Sequence, residues 1–232
     1  VCIIGLSVGQ SVALTMAMER SVGELRLVDF DTLDLSNLNR LRAGLHELGE
    51  PKTRIAARAI AVFDPYLKIE LAEEGANPEN LPELLDGADL LVEECDSLPI
   101  KVVSRLVARE KRIPVLMDTS DRGMFDIERF DLEPDRPLFH GLAGNLDQEL
   151  LAGLNETTGM QLMMRLVEYP KLSERLRLSY TELGKTLTTW PQLASEVMGG
   201  GAHAAEAGRR ILLGEDLPSG RHRIELSHNS GN

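Results

Sequence analysis

Cysteine is scarce: Cys2 and Cys95 are the only two in 232 residues. Two thiols so far apart cannot form a Cys-x-x-Cys zinc pair. Both lie in apolar runs, so the expectation is two buried free thiols in a reducing compartment, the cytoplasm. Aromatic residues make up 4% of the chain, too few for a base-stacking platform. Basic residues are also short, 25 Lys and Arg against 37 Asp and Glu, for a net charge of −12. That balance argues against a basic face for a phosphodiester backbone, although it leaves room for a local basic patch, so nucleic acid is not an expected partner. No apolar run approaches the ~20 residues a membrane-spanning helix needs, so no membrane partner is expected. Residues 1–4 are too short, and lack the basic flank, to be a signal peptide. The chain also opens on Val1 inside an apolar run, without an initiator Met, and is read as a piece of a longer protein.

What remains is a chain with 43% hydrophobic residues, enough for a full core. Apolar runs at 1–4, 24–29, 68–71, 89–93 and 114–117 read as strands. Stretches 11–19, 51–63, 80–85, 99–111 and 192–214 carry helical stripes. Strand and helix alternate, which predicts an α/β fold with a doubly wound, mostly parallel, Rossmann-like sheet. Ligands of such sheets sit beyond the carboxyl ends of the strands. Asp29, Asp31, Asp96, Asp118 and Asp121 all fall at such ends. Three regions are expected. Residues 1–125 form the nucleotide-binding core, and 126–189 an acidic loop, through 137, followed by a helical insertion. Residues 190–232 supply a closing helix and a last strand at 223–226, with a frayed end from Ser227. Leu150, Leu151, Leu154, Met160, Met163, Met164 and Val167 give the insertion its apolar stripe, and Trp190-Pro191 interrupts it. Gly199-Gly200-Gly201 inside the last helix costs roughly 1 kcal/mol per Gly relative to Ala. The expected compensation is close approach to a neighbouring element.

The chemistry-bearing residues cluster early. Gly5-Leu-Ser7-Val8-Gly9 follows the first strand where a phosphate loop would sit: small residues let backbone N–H groups face an anion. Asp29 ends the second strand, about 20 residues on, the place of an acid that holds ribose hydroxyls. Asp31 lies two residues later and can share its side. Asn37, Asn39 and Arg40 form a polar loop, and the Arg40 guanidinium suits phosphate oxygens. Lys52 opens a helix, where a cation opposes the helix dipole unless an anion is bound nearby. Asp96 ends a later strand and is the candidate Mg²⁺ ligand. Glu93 and Glu94 beside it are expected to be ordinary exposed acids. His46, His140 and His203 are scattered and are read as structural.

Together, Asp29-Phe-Asp31, Ser36-Asn-Leu-Asn-Arg40, Gly49-Glu-Pro-Lys52 and Asp96 resemble the ThiF/MoeB-type adenylyltransferases, relatives of the ubiquitin-activating enzymes. The resemblance covers about 1–125 and 190–226. It implies binding of ATP and Mg²⁺ and activation of a carboxylate as an acyl-adenylate. The acceptor would be a small carrier protein, often through its C-terminal glycine, or another carboxylate. Carried over by position, Asp29 would hold ribose, Asn37 and Arg40 the phosphates, Lys52 the triphosphate charge, and Asp96 the metal and reacting phosphate. A homodimer is implied too. The chain departs from the family at Ser7 and Val8, which replace consecutive glycines, and at Ser97, which replaces an Asn. It also lacks the zinc-binding cysteines and a mobile catalytic cysteine, so thioester transfer is not expected. Two other readings stay open: an NAD- or FAD-binding oxidoreductase module, and a non-catalytic member of the fold within a larger chain.

Overall fold

The computed structural model describes residues 1–144, 146, 151, 153–187 and 191–224. The expectations for Leu150, Trp190, residues 225–226 and the tail from Ser227 fall outside these. Among the described residues, seven strands form one sheet in the order β3-β2-β1-β4-β5-β6-β7. They are β1 (Cys2–Ile4), β2 (Glu24–Val28), β3 (Lys68–Ala72), β4 (Leu91–Glu93), β5 (Val115–Asp118), β6 (Met124–Glu128) and β7 (Gly220–Arg223). The first five are parallel, and β6 and β7 add antiparallel edges. The helices are α1 (Leu6–Glu19), α2 (Lys52–Ala61), α3 (Leu81–Leu84), α4 (Leu98–Glu110), α5 (Glu156–Leu166), α6 (Glu174–Glu182) and α7 (Ala194–Leu212).

Two apolar layers flank the sheet. One packs Ile3, Leu25, Leu27, Val92 and Leu116 against α1, α2 and α7. The other packs Cys2, Ile4, Val28, Leu91 and Val115 against α3, α4 and the segment leading into α5. Strand order reverses between β1 and β4, which opens a crevice at their carboxyl ends. The closing helix α7 lies along α1, and its glycines make that approach possible. A Cβ at Gly200 would overlap the Asp118 carboxylate, and one at Gly201 the Ser11 side chain. Gly199 faces open space, so two of the three glycines answer the expectation.

One segment departs from its reading. The acidic loop expected from 126 is still β6 as far as Glu128, and all five residues of that strand are buried. Its acids enter the core because cations meet them there: Arg221 holds Asp126 at 2.6 Å and Arg105 holds Glu128 at 2.5 Å. Charge alone argued for solvent; paired burial overrode it. The sheet therefore runs on past the boundary drawn at 125.

Candidate active site

The crevice begins at Gly5. Its φ of 89° is one that glycine adopts freely, and α1 starts at the next residue. A Cβ here would lie 2.7 Å from the backbone of Glu94, so only a glycine lets β1 and β4 approach so closely. The phosphate turn is shorter than its sequence suggested, because Ser7, Val8 and Gly9 already belong to α1. Gly9 is a packing glycine, since a Cβ on it would lie 2.6 Å from Ile3 Cγ2. That corrects its assignment to the ligand cradle: it seats α1 on the sheet.

Asp29 lies behind this turn. Its Oδ2 accepts the Leu6 N–H at 2.6 Å and its Oδ1 accepts the Asp31 N–H at 2.8 Å. Burial pushes its carboxyl above the usual range, while the charge of Lys52 and the two N–H groups oppose that shift. Asp31 is exposed and receives Lys52 Nζ at 2.7 Å. The same ammonium reaches Ser7 Oγ at 3.3 Å. Lys52 is only 5% exposed, so a buried cation is aimed at the start of α1. A cleft of about 150 Å³ opens here, lined by Gly5, Ser7, Asp29, Asp31, Glu94 and Asp96. Phe30, 73% exposed, and Gly75 also line it. Phe30 was passed over as a site residue in the sequence, although its place between two strand-end acids was a legible signal that it would line the cleft.

The polar loop divides its duties. Asn37 Oδ1 accepts the Asp34 N–H and so caps the short turn Leu35–Asn37; this atom is spent on the loop itself. Asn39 Nδ2 donates to the Gln192 carbonyl at 2.7 Å, and its Oδ1 accepts from Arg40 at 3.0 Å. Among the described residues these two asparagines build the loop that presents Arg40. The Arg40 Nη1 also donates to the Ser36 carbonyl, while its buried Nε has no partner. Burial lowers the Arg40 pKa and the nearby charge of Asp96 opposes that shift, which places the two groups in electrostatic reach. Asp96 is exposed at the mouth. Among the described residues no group of three or more acids, histidines or cysteines is placed to hold a metal alone, so Asp96 could serve Mg²⁺ only where phosphate and water oxygens complete its shell.

Glu93 and Glu94 are buried, against expectation. Glu93 is held by Arg105 Nη1 at 2.6 Å and by Lys101 Nζ at 3.2 Å; charge pairing, not solvent, keeps it ionised, and its pKa lies below the ordinary value despite burial. Glu94 Oε1 accepts the Asp118 N–H at 2.9 Å, but its Oε2 has no partner. Cys95, expected to be buried, is half-buried. Burial and the adjacent Glu93 charge push its thiol up, and it donates to Glu93 Oε1 at 2.9 Å. A thiol so raised is a poor nucleophile.

Beyond Glu94 a second cavity of about 310 Å³ runs under α5 and α6, sharing Glu94, Cys95 and Asp96 with the first. Val8 lines this second cavity and not the first. The β-branched residue therefore does not line the cleft at Gly5, which removes crowding by Val8 as a reason for a non-catalytic module and leaves the missing zinc-binding and catalytic cysteines as the other.

The profile of the ThiF family matches residues 1–154. The chain belongs to the ThiF family. It is 48% identical to an uncharacterized protein of Mycobacterium tuberculosis, over 97% of this chain and 32% of that one. It is 28% identical to the molybdopterin-synthase adenylyltransferase of Haemophilus influenzae, over 56% of this chain and 54% of that enzyme. It thus spans about a third and about half of these two relatives. The solved structure of the E. coli tRNA N6-threonylcarbamoyladenosine dehydratase TcdA in complex with AMP superposes with a TM-score of 0.64. That match is at 16% identity and covers 92% of this chain and 85% of that one. Membership of this family does not favour the NAD/FAD oxidoreductase reading. Among the described residues no helix is long and apolar enough to cross a membrane.

Proposed function

We propose that this ThiF-family domain binds ATP with Mg²⁺ and activates a carboxylate as an acyl-adenylate, without thioester transfer. The observation that carries the reading is the buried Lys52 ammonium, aimed at Ser7 and Asp31 beside the Gly5 turn. Asp31 and Asp29 offset that charge from one side, and a triphosphate in the cleft would give the ammonium a further anionic partner. The adenylyltransferase name of the H. influenzae relative and the AMP in the TcdA structure support the same reading.

The chain's residues then divide the work. Asp29 offers its remaining lone pairs to ribose hydroxyls. Lys52 and Arg40 offset phosphate charge, while Asn37 and Asn39 hold the loop that carries Arg40. Asp96 would hold Mg²⁺, which when bound supplies further neutralisation of phosphate oxygens. An acceptor carboxylate oxygen bonds to the α-phosphorus. The bond from that phosphorus to the α–β bridging oxygen breaks, and pyrophosphate leaves with the electron pair. A carboxylate is already deprotonated, so no base is needed, and the catalytic problem is positioning and charge neutralisation. The acceptor is a small carrier protein or another carboxylate. A homodimer is part of the proposal, supported by the exposed Leu35, Leu45 and Leu48, and so is a cytoplasmic setting, supported by two free thiols.

The test is ATP–pyrophosphate exchange with candidate acceptors, alongside calorimetric binding of Mg·ATP. Lys52→Ala and Asp96→Ala are each expected to lower exchange at least about 100-fold with little change in the thermal midpoint. Wild-type exchange in either variant would remove its assigned role.

A further inference from the structure

The second cavity has no task in the nucleotide chemistry. Its walls are mostly apolar, with Met117, Phe139, Met163, Leu166, Val167 and Leu172 among them. At about 310 Å³ it is far larger than a glycine needs. It shares Glu94, Cys95 and Asp96 with the nucleotide cleft, which puts a ligand lying in it next to the place where the reacting phosphate would sit.

Its polar end is unusual. Glu94 and Asp118 are 8% and 6% exposed, both line the cavity, and Glu94 Oε2 and Asp118 Oδ1 have no partner. The nearest cation, Lys101, is already engaged: Nζ donates to both oxygens of Glu93 at 3.2 Å and faces Met117 Sδ at 3.4 Å. Two unpartnered carboxyl oxygens at the end of an apolar cavity are a place for a ligand N–H or ammonium group, which would give both an electrostatic partner. A ligand that turns its N–H toward Glu94 and Asp118 and lays an apolar body among the methionines has its carboxylate left for the Asp96 side, where the proposed Mg²⁺ would offset its charge. An amino acid with an apolar side chain carries those three groups on one carbon.

We propose that this cavity is the acceptor's side-chain pocket and selects an apolar α-amino acyl carboxylate, either a free amino acid or the last residue of a peptide, over a glycine-ended tail. The proposal rests on the adenylation reading, whose acceptor it narrows. Met163 and Met164 on α5 give the pocket tolerance for the shape of the side chain. Filling it with a leucine-sized group should be worth about 10- to 100-fold in affinity over glycine.

The test is calorimetry on the full chain carrying Mg²⁺ and α,β-methylene-ATP. The probes are L-leucine, a hexapeptide ending in leucine, 4-methylpentanoate (the same body without the N–H), glycine, and a hexapeptide ending in Gly-Gly. One of the two leucine probes is expected to bind at least about tenfold tighter than its glycine counterpart, and which one does so identifies the source. It should also exceed 4-methylpentanoate by about tenfold, an advantage that Glu94→Gln reduces to under about threefold. Met164→Trp, or Val167→Phe if the first variant does not fold, should abolish leucine binding and leave the nucleotide analogue's affinity unchanged. Equal or tighter binding of the Gly-Gly peptide, no binding by either leucine probe, or parity with 4-methylpentanoate overturns the assignment. Failure of the nucleotide analogue itself to bind sinks the adenylation reading, a separate outcome read before any acceptor is added.

Discussion

Glu93 and Glu94 are consecutive, buried and chemically identical, and they live in opposite electrostatic worlds. Side chains alternate across an extended strand end, so the two leave β4 on opposite faces. Glu93 meets Arg105 and Lys101, and Arg105 bridges on to Glu128 at 2.5 Å while lying 4.0 Å from the Phe139 ring centroid. Glu94 meets the backbone of Asp118 and, beyond it, a second acid. Burial and the Asp118 charge push its pKa well above the ordinary value, and burial, helped by the charge of Glu196, carries Asp118 up to about 7 against the hydrogen bonds from Ser120. A satisfied buried ion cluster fixes the sheet and α4. An unsatisfied pair beside a cavity is retained at a cost in stability, as groups kept for a ligand often are.

The comparison breaks most visibly on the paired side. Arg105→Met would strand Glu93 and Glu128 without their shared cation, at a cost of about 3–5 kcal/mol. Urea denaturation at pH 7 checks this, and a loss below 1 kcal/mol would mean the cluster is not what holds those acids. The unpaired side should show the opposite response to pH. The folded-state pKa of Asp118 lies above its ordinary 3.8, so the native state holds the extra proton between pH 4 and 7. Stability from this site is present below pH 4 and falls as pH rises through about 7, by at most ~4 kcal/mol at 1.36 kcal/mol per pKa unit. Asp118→Asn should flatten that fall, making the variant the more stable protein at pH 8. Asp126 runs the other way. Arg221 and His140 overcome burial and hold it at about 2, so its contribution is present above pH 4 and fades as pH drops toward 2. Comparing urea midpoints at pH 2.5, 5 and 8 separates the two signs.

Sequence patterns carried the architecture because apolar periodicity and strand-end acids are local signals. The parallel order, the Gly5 turn and the Lys52 position were all legible that way. Burial of charge was not. Glu93, Glu128 and Asp126 read as solvent-facing acids, because their partners Arg105 and Arg221 lie 12, 23 and 95 residues away and no spacing rule joins them. The second cavity was hidden for a similar reason. Met163 and Met164 look like core filling on a helix, and only the tertiary placement of α5 leaves them facing a space next to Glu94. Gly9 misled in the other direction: its spacing from Gly5 suits a phosphate turn, but α1 begins earlier and uses it for packing.

The smallest expected effect tests whether the two cavities are separable. Val8 belongs to α1 and is 4% exposed, yet it borders the apolar cavity alone. Its replacement of a family glycine should therefore leave the phosphate site intact and shape only its neighbour. Val8→Ala trims two methyl groups and costs about 1–2 kcal/mol of stability. Its affinity for Mg·ATP should stay within about twofold of wild type, under ~0.5 kcal/mol. If ATP affinity instead rose tenfold on trimming, Val8 would be crowding the phosphates after all, and the line drawn between the two cavities at Glu94 would be in the wrong place.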